Sequence, residues 1–327
     1  MKEWTHNARS PWLHYMMYLA LIAVVGVPAV VLGGSEPVLL TSDTSWIIPD
    51  GHAQGRLAVE TGALEIRGLG ELLFDPSAIT TLRPDIFVPG HFSVFDVLVH
   101  LAEANDFELD YVFDEQLQTH VIQSLSGLSG WWYDAHYVGG SFDKTVVRTD
   151  QFPVKDGMSI IVYLEDPSRL DAIHQNFREE VSRRSENDEV VVIPLVTLLS
   201  STATAEFYDV AVTAHDARSD VFQPGVVTML DVLLSLGEQG ALMELGLDWR
   251  KEDGDIQIVD GYYVSSIQAD AFAPETTGSC VLTHQLSGET IAEFLSPHTH
   301  TMSHIHLTAD LEVLMSPEVV EWLWICL

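Results

Sequence analysis

Positive charge is scarce in this chain. Lys and Arg number 15 against 48 Asp and Glu, a formal net charge of −33 over 327 residues. Only four of the cations are lysines: Lys2, Lys144, Lys155 and Lys251. A surface this negative repels phosphate backbones, which argues against nucleic acid as a partner, and it disfavours lying flat on anionic lipid. It suits solubility in salty surroundings and the attraction of cations. Cysteine is scarcer still. Cys280 and Cys326 form no CxxC pair, no CxxCH haem attachment and no Cys-based zinc spacing. In an exported chain they are a disulfide candidate; the alternative is two small buried apolar side chains. Enzyme signatures are missing as well. There is no Walker loop, no G-x-S-x-G, no H-E-x-x-H and no G-x-G-x-x-G after a strand. Glu252-Asp253-Gly254-Asp255 lacks the donor spacing of an EF-hand and reads as an Asp-Gly turn. What is present begins with a hydrophobic content of 47%, enough to exclude a largely disordered chain.

From Trp12 to Gly34 there is no Asp, Glu, Lys or Arg, and Met16–Leu32 is almost wholly apolar. About 20 such residues cross a hydrocarbon core. Lys2 and Arg9 precede the run and Glu36 and Asp43 follow it, so the positive-inside rule places the body outside the cytoplasm. Trp12, Tyr15 and Tyr18 suit an interfacial aromatic belt. The expectation is a single-pass membrane anchor over residues 1–34. A cleaved signal peptide is the alternative: Gly33 and Gly34 would permit cleavage, although no A-x-A site is present. Both readings export the body.

Residues 35–80 read as a lead-in segment with strand-like pieces at Arg56–Val59, Ala63–Ile66 and Glu71–Phe74. The polar stretch 168–189 reads as a linker or short exposed helix. Around it the chain repeats itself. PGHFSVFDVL (Pro89–Leu98) matches PGVVTMLDVL (Pro224–Leu233) at five of ten positions. Both enter a helical apolar pattern behind a capping box, Ser93-x-x-Asp96 and Thr228-x-x-Asp231. GWWYDAHYVGG (Gly130–Gly140) aligns more weakly with GSCVLTHQLSG (Gly278–Gly288), three of eleven, with His136 and His284 in the same place. Strand-like runs at Met158–Leu164 and Val319–Ile325 close the halves. The predicted fold class is α+β: a transmembrane helix, then two β-grasp-like repeats, 81–167 and 190–327, each a mixed sheet with one main helix.

The order PGHFSVFDVLVHLA, HVIQSLSGL, GWWYDAHYVGG, VKDGMSIIVYL within residues 80–166 resembles the transcobalamin-like C-terminal domain, a β-grasp module of exported bacterial and archaeal proteins. Asp156-Gly157 and Ile160 match its closing strand. His136 and Tyr137 stand where the family places an Asn-Gly turn, and the second half has lost both Trp. The resemblance implies a binding or display unit. It implies a corrinoid only weakly, because the helical domain that holds cobalamin in transcobalamins has no counterpart here.

The densest chemistry lies in His298-Thr-His300-Thr-Met302-Ser-His304-Ile-His306. Four His fall in nine residues, against ten in the rest of the chain. In an extended strand all five donors share one face; in a hairpin with Thr301–Ser303 at its tip, two His-x-His pairs face each other. Imidazole suits copper and zinc, and a thioether biases the set towards copper(I). The alternative is a polar exposed loop or a pH-sensitive face. His136 and His284 are candidate additional metal ligands, and Cys280 a candidate soft one. Trp131, Trp132, Tyr133 and Tyr137 form an aromatic cluster; adjacent Trp on a strand point to opposite faces, so one is expected in the core, and the other either covers the sheet or is exposed to stack on a small ligand or a partner protein. Isolated His91, His100 and His120 read as structural. The expectation is a non-enzymatic, membrane-anchored, extracytoplasmic binding or accessory protein holding copper or zinc in its second repeat. One rival is a structural or interaction subunit that docks other membrane or surface proteins; another is a metalloenzyme or its subunit, which would need an open coordination position beside a cleft.

Overall fold

A computed structural model describes residues 62–137, 145–156, 158–250, 260–274, 280–286 and 308–326. Two successive stretches run through one topology. The first has β1 (Gly62–Ile66), β2 (Gly70–Phe74), helix α1 (Val94–Asn105), β3 (Leu109–Asp114), β4 (Thr119–Leu125), β5 (Trp131–Tyr137) and β6 (Met158–Leu164). The strands make a four-stranded sheet in the order β2-β1-β6-β5, with β3-β4 as a separate hairpin. Only the central pair, β1 and β6, is parallel. After helix α2 (Pro167–Glu186) come β7 (Val191–Ser200), β8 (Thr204–Val212), α3 (Met229–Glu238), β9 (Glu244–Arg250), β10 (Gly261–Gln268), β11 (Cys280–Leu286) and β12 (Val319–Cys326). Their sheet order is β8-β7-β12-β11, again with one parallel central pair, and β9-β10 is again a separate hairpin.

Local sequence explains the elements. In α1, Val94, Val97, Leu98 and Leu101 recur at helical spacing and are all buried. Ser93 and Asp96 cap it reciprocally: the Ser93 N–H and O–H each donate to Asp96 Oδ2 at 2.7 Å, and the Asp96 N–H donates to Ser93 Oγ. At the start of α3 the Thr228 N–H and O–H donate to Asp231 Oδ2. In β12, Val320, Trp322 and Trp324 alternate inward, at 0, 1 and 5% exposure, as a sheet with one face in the core requires. The Pro-Gly turns before α1 and α3 place Gly90 and Gly225 at φ 95° and 89°, a region that favours glycine.

The halves meet through the same segment of each. The Val88 N–H donates to Val221 O, the Gln223 N–H donates to Ile86 O, and the Phe87 and Phe222 rings pack 5.7 Å apart. Positions 86–88 correspond to 221–223, so the two bonds are mates about a local pseudo-twofold axis.

Several expectations are corrected here. The fold is dominated by sheet: among the described residues there are twelve strands and only three α-helices. The predicted β-grasp-like repeat, one mixed sheet beneath one helix, is not what forms. Each half divides its strands between a four-stranded sheet and a detached hairpin, because β3-β4 and β9-β10 pair only with each other. The predicted transmembrane helix lies outside the described residues. No helix among the described residues is long and apolar enough to cross a membrane, and the apolar run Trp12–Gly34 lies outside those residues, as does Arg56–Val59. The remaining lead-in pieces belong to the first sheet, since β1 pairs with both β2 and β6. The polar stretch after residue 166 is helix α2. Asp166 caps it, accepting from the Ser168 N–H at 2.9 Å. Ile173 and Phe177, four apart, are buried, and burial of each such side chain contributes roughly 1.5–3 kcal/mol.

Candidate functional site

Of the residues singled out from the sequence, His298, His300, Met302, His304 and His306 lie outside the described residues. His136 and Tyr137 end β5, paired in register with Ser159 and Met158. His284 stands on β11 opposite Trp322. Its Nε2 lies 2.5 Å from Glu312 Oε2, with both side chains buried, and its ring packs on Trp322 at 5.2 Å. That nitrogen is therefore committed to a carboxylate, and any metal would have to use Nδ1. Cys280 and Cys326 face each other across β11 and β12 and are joined, S–S 2.08 Å. Cys280 therefore has no thiolate to offer a metal. Among the described residues no three His, Cys, Asp or Glu side chains are grouped to hold a metal ion.

Trp131, Trp132 and Tyr133 do not form a surface platform. Trp131 and Trp132 are 6 and 5% exposed and Tyr133 only 1%. Each polar atom is satisfied: the Trp131 ring N–H donates to Leu128 O, the Trp132 ring N–H to Thr145 O, and the Tyr133 hydroxyl to Val147 O. The reason Trp132 is covered is α2, which brings Phe177 and His174 to within 6.3 and 6.4 Å of its ring.

What sequence reasoning missed is a pair of buried ionic networks, one in each half. Arg83 forks onto Asp85 and donates through Nη1 to Asp150 Oδ2 at 2.9 Å and to Gln118 O. Arg218 forks onto Asp220 and donates through Nη1 to Asp310 Oδ2 at 2.9 Å and to Asp260 O. The backbone N–H groups of His120 and Tyr262 complete the match by donating to Asp150 and Asp310. The signal was present: extended upstream, the repeat runs RPDIFVPGHFSVFDVL against RSDVFQPGVVTMLDVL, eight identities in sixteen, including both Arg and their first Asp. No protein-family model matches the chain, and comparison with curated proteins and with solved structures gives no match. The likeness to transcobalamin-like modules therefore rests on the quoted residues alone.

The networks set the electrostatics. Burial would raise the Asp150 carboxyl, but hydrogen bonds from His120 and Thr119 and the Arg83 charge hold it below the ordinary carboxylate value. Burial lowers Lys155, at 1% exposure, to about 7 against the pull of Asp310. His215 shows the opposite balance. Its Nδ1 lies 3.0 Å from Asp231 Oδ1 and its Nε2 3.3 Å from Glu238. Burial would lower it, but Asp231 and then Glu238 outweigh burial and raise it above the ordinary 6.5. The folded chain thus holds this proton more tightly than the unfolded one. The stabilisation is complete below about pH 6.5 and is lost as pH rises through the folded value. The lowered Lys155 contributes with the opposite sign, so the His215 effect is read by difference: chemical denaturation is expected to show His215→Gln costing more stability at about pH 6 than at about pH 8.

Proposed function

We propose that this is an extracytoplasmic, non-catalytic binding or accessory protein that holds copper, or zinc, through His298, His300, Met302, His304 and His306. The observation that carries the reading is the alternation of donors at every second position, a spacing that puts all five on one side of an extended segment. The surroundings support it. Thr308 follows His306 by two residues in the sequence. Thr308 opens a buried turn whose Asp310 is fixed by Arg218 and the Tyr262 N–H. A net charge of −33 raises the local concentration of cations. A disulfide accords with an oxidising compartment.

Titration of the purified full chain with copper(I), copper(II) and zinc against a competing chelator tests it. The expected result is a stoichiometric site that the doubly substituted His300→Ala/His304→Ala chain loses. Equal uptake by both chains, or no tight uptake by the unaltered one, overturns the proposal.

A further inference from the structure

The disulfide sits where a small thiol can reach it. β11 lies at the edge of its sheet and pairs with β12 alone among the described residues. Cys280 and Cys326 are the terminal one of their seven register pairs. Cys326 is exposed and Cys280 half-buried, so attack on the bond does not require the chain to unfold. Exposed disulfides form the labile, regulatory class. The first half closes the same ladder with no covalent link. β5 and β6 also make seven register pairs, and the corresponding terminal one is Trp131 opposite Leu164. There the Glu165 N–H donates to Gly130 O at 2.9 Å, and the Trp131 ring N–H ties back to Leu128 O. Closing this frame therefore does not demand a bond between the strands.

What the bond guards is a buried pair that depends on β11 staying in place. Cys280, Leu282 and His284 alternate onto one face of the strand. His284 Nε2 is the only side-chain partner of Glu312 among the described residues, and Glu312 is 4% exposed. The other carboxylate oxygen, Oε1, is sealed from solvent with no hydrogen-bond partner. If β11 lifts, Glu312 becomes a buried charge with no counterpart, a strongly destabilised state that ends only when water enters. Trp322, packed on His284, and Trp324, opposite Leu282, are both buried and would be wetted by the same movement.

We infer that Cys280–Cys326 is a thiol-operated clasp: opening it frees the outer end of β11 and lets water reach the His284–Glu312 pair while the rest of the fold stands. The device does not rest on the metal reading above. Its chemistry is thiol–disulfide exchange. The thiolate of a small thiol attacks the exposed Cys326 sulfur, the Cys280–Cys326 bond breaks, and Cys280 leaves as a thiolate that takes up a proton. A second small thiol then attacks the mixed disulfide, releasing Cys326 as a thiol. Two small thiols are oxidised to one disulfide, and the protein disulfide is reduced to two thiols.

The test uses the unaltered full chain with reduced glutathione and no denaturant. Free thiols are counted by alkylation and mass, while tryptophan emission and far-ultraviolet circular dichroism are followed. The expected result is both cysteines free, at a rate about tenfold higher when the thiol concentration is raised tenfold. Emission should shift to longer wavelength with secondary structure retained, and oxidised glutathione should reverse both changes. In the Glu312→Gln chain the thiols should appear at the same rate but the emission shift should shrink, because an uncharged amide tolerates burial better than a carboxylate. Thiols that appear only in denaturant, a rate independent of thiol concentration, or loss of secondary structure on reduction overturns the inference. So does an emission shift that is absent in the unaltered chain or undiminished in Glu312→Gln.

Discussion

Replacing Arg218 with Met is expected to destabilise the fold by about 3–5 kcal/mol, the usual cost of removing one partner from a buried ion pair. Neither Arg218 nor Asp310 has exposed side-chain surface. With the guanidinium gone, Asp310 keeps the Tyr262 N–H and the influence of Lys155, whose own charge burial disfavours. The fork onto Asp220 and the bond to Asp260 O vanish together with it. Arg218→Lys should recover only part of the loss, because an ammonium cannot reproduce a planar fork. The corresponding Arg83→Met should cost less: Arg83 is itself slightly exposed, Asp85 is 62% exposed, and His120 remains on Asp150. Urea unfolding of the three variants measures the order. Equal and small losses at Arg83 and Arg218 would show that these networks hold little of the stability.

Removing the Cys280–Cys326 bond should cost about 4 kcal/mol, from the loop-closure entropy of a chain closed across roughly 46 residues. The separation is 46 residues. Part of that loop lies outside the described residues, and the bond constrains it whatever its conformation, since the effect acts mainly on the unfolded state. Unfolding of the Cys280→Ala/Cys326→Ala chain against the unaltered one, with and without reductant, reads the difference. Reductant should lower the stability of the unaltered chain only. An identical midpoint in all four conditions would mean that the bond does not form.

The capping boxes were legible from spacing alone because Ser93 and Asp96, and Thr228 and Asp231, act within one helical turn. The β12 alternation was legible for the same local reason. The Arg–Asp networks were only half legible. Arg83 and Asp85 sit two apart and recur at 218 and 220, but Asp150 and Asp310 arrive from 67 and 92 residues away. The fate of the tryptophans was not legible, because the rule that neighbours on a strand point to opposite faces does not say whether a helix covers the second face. Here α2 does, with Phe177 against Trp132. His120 was set aside as structural for want of any sequence neighbour. The carboxylate that holds it, Asp150, lies thirty residues on.

By itself the sequence determined the acidic surface, the two capped helices, the repetition of the chain and the donor-dense segment. These follow from composition and from contacts a few residues apart. Only the tertiary structure decided that strands from residue 62 onward complete the first sheet, that each half detaches a hairpin, and that Cys280 and Cys326 pair. Those outcomes depend on which surfaces meet after the chain has folded back over tens of residues, and no local periodicity carries that information.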